Sequence, residues 1–504
     1  MQYLQLYLRK TDTCTRIFFI FVILYIIFQI ILFYKIQVWF PNGLHIDASP
    51  EDIYHTTAIN LLNHKIYGFE YQGEIIQTAS RPPFYSFFLA FLYNFFGEER
   101  TIALVANNIL LTLSILIIFL SLKKISSVVG LLTVIIIFLD PIYLEQANLL
   151  HADILFLFLL CCVIYFSIKF FLEDLSIKNL LLIIFFMLCA SFTRGHALYL
   201  WAALCLSIIL IPKVNIKKKI LSLLLVIMIH SFFIGLWKYR NYKAVGNSDF
   251  TTMVSNHLMN FFIPEVYIQK YKLSEKEIKQ KIIEDFNINE TNLGKNWFNK
   301  EKIKESGGHV TATKKESDFV KKIAIETVMK YPLSTFKSIL NNVPELYFST
   351  SPTIYSLFFS KERYKKWNKI IQSSPEFKTK EIYKNYLKRF SHRYVHFLKE
   401  EFYLVPVLLI TNKILNLTII LCCIIFIYKS FIYKKYNKYK KLTYFLFFYI
   451  LILTLVAIIS AEGRFRLGIM PGISILGSLY LINNYKVKKI FDIYKNKARN
   501  YIHR

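Results

Sequence analysis

Long apolar runs recur throughout this chain and constrain its fold more than any other feature. Segments of roughly 20 mostly apolar residues, the length an α-helix needs to cross a bilayer core, occupy 16–40, 101–122, 127–145, 148–169, 178–194, 196–212, 219–237, 404–428, 442–460 and 466–484. This pattern predicts an all-α polytopic membrane protein with about ten transmembrane helices. Composition agrees. Of 504 residues, 55% are apolar and 17% aromatic but only 19% charged, outside the range of soluble domains. A formal net charge of +29 would suit a nucleic-acid partner. The Lys and Arg residues, however, fall in short clusters between apolar runs and do not line one face, so topology accounts for them better.

Lys and Arg are retained in short cytoplasmic loops. With the N-terminus inside, the inner loops are Lys123 and Lys124, Lys169 to Lys178, "KVNIKKK" at 213–219, "YKSFIYKKYNKYKK" at 428–441 and the tail 485–504, all of them basic. The outer segments are 41–100, the turns at Glu145, Arg194 and Glu462, and an insert at 238–402 long enough to translocate whatever its charge. Arg9, Lys10 and Arg16 precede the first run and no small-residue cleavage site follows it, which reads as a retained anchor. The run "PFYSFFLAFLYNFFG" at 83–97 is too short to cross and reads as a helix at the outer interface. The insert has its own helical patterning. "SEKEIKQKIIEDF" opens with a capping-box spacing, "SDFVKKIAIETVMKYPLSTFKSILNNV" reads as a helix broken near Pro332, and "KTKEIYKNYLKRFSHRYVHFLKEEF" is a third. The expected organisation is therefore a transmembrane module over 1–237, a small and mainly helical extracytoplasmic domain over 238–402, C-terminal transmembrane helices over 403–484 and a basic cytoplasmic tail.

Most residues with chemical potential fall on the outer side of this threading. They are Asp47, Glu51, Asp52 and Arg81; Asp140, Glu145 and Asp153; Arg194 and His196; Arg240 after Trp237; and Glu462, Arg464 and Arg466. Carboxylates and arginines converging on one interface suit a substrate with an anionic head and a lipid tail. Plain structural roles compete with this reading. An arginine at a helix end also serves as an anchor, Asp140 before Pro141 has the form of a turn or cap, and His230 reads as a hydrogen-bonded core histidine. Asp153 is set inside "NLLHADILFLFLL", and an ionisable group near a span is a functional candidate by default. The seven cysteines lie in apolar runs or near the N-terminus, so neither disulfides nor a metal cluster is expected.

Four landmarks in order resemble the lipid-linked-sugar glycosyltransferases of the GT-C superfamily, specifically the bacterial relatives of protein O-mannosyltransferases and of the aminoarabinose transferase acting on lipid A. An acidic motif with an aromatic, "SPEDIYHTTAINLL", is followed by "RPPFYSFFLAFLYNFFG", "LWKYRNYKAVG" and "AEGRFRLGIMPGISILG". Two positions depart from the family pattern: Pro50 stands where the family has its leading Asp, and Gly468 where it commonly has proline.

The resemblance implies a GT-C-like fold and inverting transfer of a sugar from a polyprenyl-phosphate donor to a protein, glycan or glycolipid acceptor on the extracytoplasmic face of a bacterial inner membrane. Such chemistry needs a carboxylate to take the acceptor's proton and cations to stabilise the departing phosphate. On this reading Glu51 or Asp52 is the base and Asp153 a second acidic group. Arg81, Arg194, Arg240, Arg464 and Arg466 bind the donor phosphate, and Tyr54, Trp237 and Glu462 contact the sugar. No cofactor is required, although first-loop carboxylates are of the kind that hold a divalent cation, as some relatives do. The rival readings are a transporter or flippase for a lipid-linked saccharide, which would place polar groups at mid-membrane depth and on both sides, and an O-antigen ligase or polymerase. The "RPPFY" and "EGRFR" landmarks favour the first reading over the ligase.

Overall fold

The computed structural model describes residues 12–39, 51–71, 73–212, 214–273, 275–289, 312–348, 404–459 and 463–484, together with Leu293 and Glu362. Helix α1 (Thr13–Trp39) is followed by α2 (Glu51–His64) and by an antiparallel hairpin, β1 (Gly68–Tyr71) and β2 (Glu74–Gln77), with Gly68 opposite Gln77. Then come α3 (Phe84–Phe96), α4 (Arg100–Lys123), α5 (Ser127–Phe138), α6 (Pro141–Ala147) and α7 (Asp153–Lys169), the last extended by a π turn to Asp174. The central segment continues with α8 (Ile177–Thr193), a 3₁₀ turn (Gly195–Tyr199), α9 (Leu200–Leu210) and α10 (Ile216–Val245).

Local chemistry sets these boundaries. Asp140 caps α6 by accepting from Ile142 N at 3.2 Å, with Pro141 at the first helical position, where its missing N–H costs nothing. Asn215 caps α10 in the same way at 2.9 Å, and Gly246 ends that helix at φ 68°, a conformation that favours glycine. Beyond it lie α11 (Met253–His257), α12 (Ile263–Tyr271), α13 (Glu275–Asp285), α14 (Lys314–Lys330) and α15 (Pro332–Phe348). A capping box forms at Thr313 and Glu316, whereas Ser274 of the predicted one lies outside the described residues. The break expected near Pro332 falls at Tyr331. The predicted helix over 378–402 lies outside the described residues. The last described helices are α16 (Leu404–Ile432), α17 (Lys440–Ala457) and α18 (Arg466–Asn483).

The expected ten spans are corrected by these helices. Among the described residues six are long and apolar enough to cross a membrane: α1, α4, α7 with its π turn, α10, the Ile410–Ile432 part of α16, and α17. They become seven if α5 and α6, bent by 67° between them, form one span. Each shortfall has a local cause. The apolar run at 127–145 is broken where Asp140 caps α6, and α8 has 17 residues, about 25 Å of helix against a core of about 30 Å. Arg194 and the 3₁₀ turn leave α9 only 11 residues. Helix α18 begins with a buried arginine, contains Pro471 and three glycines, and is buried in protein from Arg466 to Leu479. The chain is thus an integral membrane protein, largely α-helical, with six or seven apolar spans among the described residues.

Two hydrophobic cores are present among the described residues. The larger joins α1 to α10 and α16 to α18, with Leu346 of α15; the smaller is built from α12, α13 and α14 around Ile263, Val266, Tyr267, Ile282 and Val320. Polar side chains reinforce the first. Gln29 of α1 bonds Asn108 and Thr112 of α4, and Asn108 reaches Ala147 O of α6, the interhelical bonding expected where apolar burial cannot drive helix association. The bundle's ends differ in chemistry. At one, Lys124 pairs with Glu173 at 2.7 Å and Lys218 reaches Asp174 O. At the other, the start of α7, the end of α8 and the start of α18 bring Asp153, Arg194 and Arg464 to one place.

Candidate active site

Asp153 is the first residue of α7 and is buried, at 1% exposure. Arg194 follows α8 in extended conformation, and its Nη2 donates to Asp153 Oδ2 at 2.5 Å. A nearly desolvated ion pair of this kind is costly to form and strongly destabilising to break. Arg464 sits in the 3₁₀ turn Gly463–Phe465 that leads into α18, and its Nη1 lies 3.4 Å from His151 Nδ1. His151 Nδ1 is also 3.2 Å from Gln146 Oε1 and 4.0 Å from Asp153 Oδ2. One imidazole therefore stands between the two charged groups.

Phe465 packs at the centre of this cluster. The Arg194 and Arg464 guanidinium carbons lie 5.3 Å and 5.5 Å from its ring centre, and the His196 ring 4.3 Å away, so the aromatic face holds both cations in place. These residues line a cleft whose remaining wall is Phe156, Leu453, Ala457 and Gly468. Gly468 is required by the packing, because a Cβ there would meet Leu160 Cδ1 at 2.8 Å and Phe156 Cε1 at 3.0 Å. The cleft thus combines two arginines, one carboxylate and an apolar wall, a net positive site beside a greasy surface.

A second cluster surrounds the hairpin. Arg240 near the end of α10 donates to Thr78 O at 2.6 Å and Tyr67 O at 3.2 Å, and its guanidinium carbon lies 5.0 Å from the Trp237 ring. Trp237 donates to Phe250 O at 3.0 Å and packs edge-on to Tyr67. Tyr54 of α2 is buried edge-on to Tyr85, with Arg81 6.0 Å above its ring. Tyr85 OH lies 3.4 Å from Asn107 Oδ1, and Asn107 donates to Leu149 O at 3.0 Å, two residues before His151, which brings the two clusters near each other.

The other expected residues are distributed as follows. Arg466 is fully buried and bidentate to Asp140, with Nε and Nη2 donating at 2.7 to 3.1 Å. Asp140 therefore serves as both cap and counter-ion. Glu51 and Asp52 open α2, but their side chains lie outside the described residues, as do Asp47 and Glu462 entirely. His230 is hydrogen-bonded to Leu198 O. Among the described residues no three His, Cys, Asp or Glu side chains stand close enough to hold a metal ion. Sequence reasoning missed Phe465 as a cleft residue and His151 as the neighbour of Arg464 and Asp153 behind it. The signal for His151 was its position two residues before Asp153. Phe465 sits between two arginines in "GRFR".

The fold and this cleft define a membrane-embedded protein with a cationic site at one end of its helical bundle. Residues 80–237, from the residue before Arg81 to Trp237, match the family model for dolichyl-phosphate-mannose-protein mannosyltransferase. The resemblance to GT-C glycosyltransferases read from the motifs is borne out over that segment. No curated protein matches. Among solved structures, ArnT from Cupriavidus metallidurans bound to undecaprenyl phosphate is 9% identical, with 91% of this chain and 77% of that chain covered at a TM-score of 0.37. Its apo state is 8% identical, with 89% and 77% covered at 0.31. Likenesses at that level carry no argument about this chain.

Proposed function

We propose that the chain is an integral-membrane glycosyltransferase that moves a sugar from a polyprenyl-phosphate donor to a hydroxyl acceptor on the extracytoplasmic face of a bacterial inner membrane. The observation that carries this is the cleft itself: Arg194 and Arg464 beside the buried Asp153, against an apolar wall. A guanidinium keeps its charge at an apolar boundary and suits a phosphate, and the wall suits a prenyl chain. The family segment 80–237 contributes Asp153 and Arg194.

In this reading the acceptor oxygen bonds to the anomeric carbon as the bond from that carbon to the phosphate oxygen breaks. The electron pair leaves with the lipid phosphate, and the acceptor proton passes to a carboxylate, Glu51 or Asp52 at the start of α2. Arg464 and Arg194, with Arg81 and Arg240, are the residues proposed to stabilise the charge that develops on the phosphate. Tyr54, Trp237 and Glu462 are the residues proposed to contact the sugar. Residues 238–402 form the proposed extracytoplasmic domain. Release of lipid phosphate from a panel of radiolabelled polyprenyl-phosphate sugars by purified protein tests the proposal. Turnover that falls about 100-fold or more in Glu51→Gln, Asp52→Asn or Asp153→Asn is expected from loss of an acid–base group. No turnover of any donor by wild type, or full rate in all three variants, overturns it.

A further inference from the structure

Helix α15 is inside out for a helix in water. Its buried face is polar, formed by Ser334, Thr335, Ser338 and Asn342, and its exposed face carries Leu333, Phe336 and Leu340. Three of these four polar side chains are bonded within the protein. Thr335 donates to Tyr331 O, Ser338 and Asn342 both donate to Glu265 of α12, and Asn342 also reaches Ile458 O just past α17. The polar face is therefore engaged with protein, and the apolar face is left outward.

The end of α14 continues this surface. Ile325, Val328 and Met329, at i, i+3 and i+4, are exposed, and Met329 precedes Leu333 by four residues across the Tyr331 break. Met329 and Leu333, at 76% and 77%, are the most exposed large apolar side chains among the described residues, above those on the membrane-crossing α1. A contiguous apolar patch of this kind on a soluble surface would be a liability.

The depth of the patch is fixed by its neighbour. Leu346 of α15 is buried in the core of the spanning helices, and Tyr347 OH lies 2.6 Å from Thr454 Oγ1 near the end of the span α17. Helix α15 thus leaves the bundle at the level where α17 ends, which is the height of a membrane interface. Lys322, Lys330, Lys337 and the acidic Glu326 flank the patch in sequence. Lys322 pairs with Glu326 at 3.8 Å and Lys330 with Asp285 at 3.7 Å, pairs whose exposed lysines can exchange them for water or headgroups at little cost, and the lysine stems are long enough to snorkel. We infer that the outer face of α15 and the adjoining end of α14 are seated in the bilayer interface, so that the smaller core rests on lipid beside the cleft. The apolar patch is covered by acyl chains and headgroups, as on an interfacial amphipathic helix. The inference goes beyond the proposed activity and does not depend on it.

The test uses the full chain in lipid nanodiscs. In a Cys14→Ser background, Leu333→Cys and Phe336→Cys are labelled with an environment-sensitive fluorophore, with Lys315→Cys on the opposite half of α14 as the aqueous reference. Labels at 333 and 336 should be quenched several-fold more by nitroxide-bearing lipids than by aqueous iodide, and the label at 315 the reverse. Iodide reaching 333 and 336 as readily as 315 overturns the inference. Protection from both quenchers also overturns it, because that result means protein covers the patch. Met329→Cys, read the same way, replaces either position if a labelled variant is not monodisperse.

Discussion

At the scale of single residues, charges in apolar surroundings were the most legible part of the site. Asp153 and Arg194 stand out in a sequence because a charge within a greasy run has to be paired, and the structure pairs them with each other. His151 was legible only by its place two residues before Asp153, since it is the turn between α6 and α7 that brings its imidazole to Arg464. If His151 positions that guanidinium, His151→Ala should lower kcat of sugar transfer by about 100-fold, the effect of a misplacement near 1 Å. Protein yield and thermal stability should stay unchanged, and steady-state kinetics beside a melting curve would check both. Arg466 is the counter-example, an arginine in a functional-looking motif whose guanidinium is bidentate to Asp140. Asp140→Asn should destabilise the protein by about 3–5 kcal/mol by leaving a buried charge unpaired, whereas the apolar double substitution Asp140→Leu with Arg466→Met should cost only about 1 kcal/mol, the loss of the α6 cap. Unfolding in a mild detergent series would separate the two.

At the scale of elements, hydropathy located the helices well and miscounted the spans. A hydropathy run does not register the 67° bend between α5 and α6 or the turn after Arg194. It also reads α18 as lipid-facing, although α18 is the most enclosed of the late helices and is packed through small residues. A Cβ at Gly477 would lie 2.4 Å from Ile419 Cδ1 and 2.8 Å from Ile419 O. Gly477→Ala should therefore force α16 away from α18 and cost about 1–3 kcal/mol, the usual penalty of overpacking. A lowered melting temperature in nanodiscs, with Gly235→Ala on open helix surface as a silent control, is the expected result.

At the scale of the whole molecule, distant parts of the chain are held together by a few charged contacts. Asp249, after α10, accepts from Lys321 at 2.6 Å and Lys314 at 3.1 Å and so ties α14 to the end of a span. Burial alone would push its carboxyl up, but the two lysines outweigh that and hold it below the usual carboxylate value. A carboxyl lowered in the folded state contributes stability that is present above its unfolded value of about 3.9 and lost as pH falls through the folded one. Hydrogen exchange in 314–330 should therefore quicken as pH drops below about 4, after correction for intrinsic rates. Asp249→Asn should exchange faster at neutral pH and lose that acid step. The Asp140–Arg466 pair spans a far longer distance, 326 residues of sequence, and this bears on how the protein is made. A ribosome delivers Asp140 long before Arg466, at about 5–20 residues per second. For the tens of seconds between, the nascent chain holds an acidic group at an apolar site with its native partner not yet synthesised. A chain truncated before Arg466 would leave Asp140 without its bidentate partner, and it should be cleared from the membrane faster than the full chain in a pulse-chase experiment, because an unpaired buried charge is strongly destabilising.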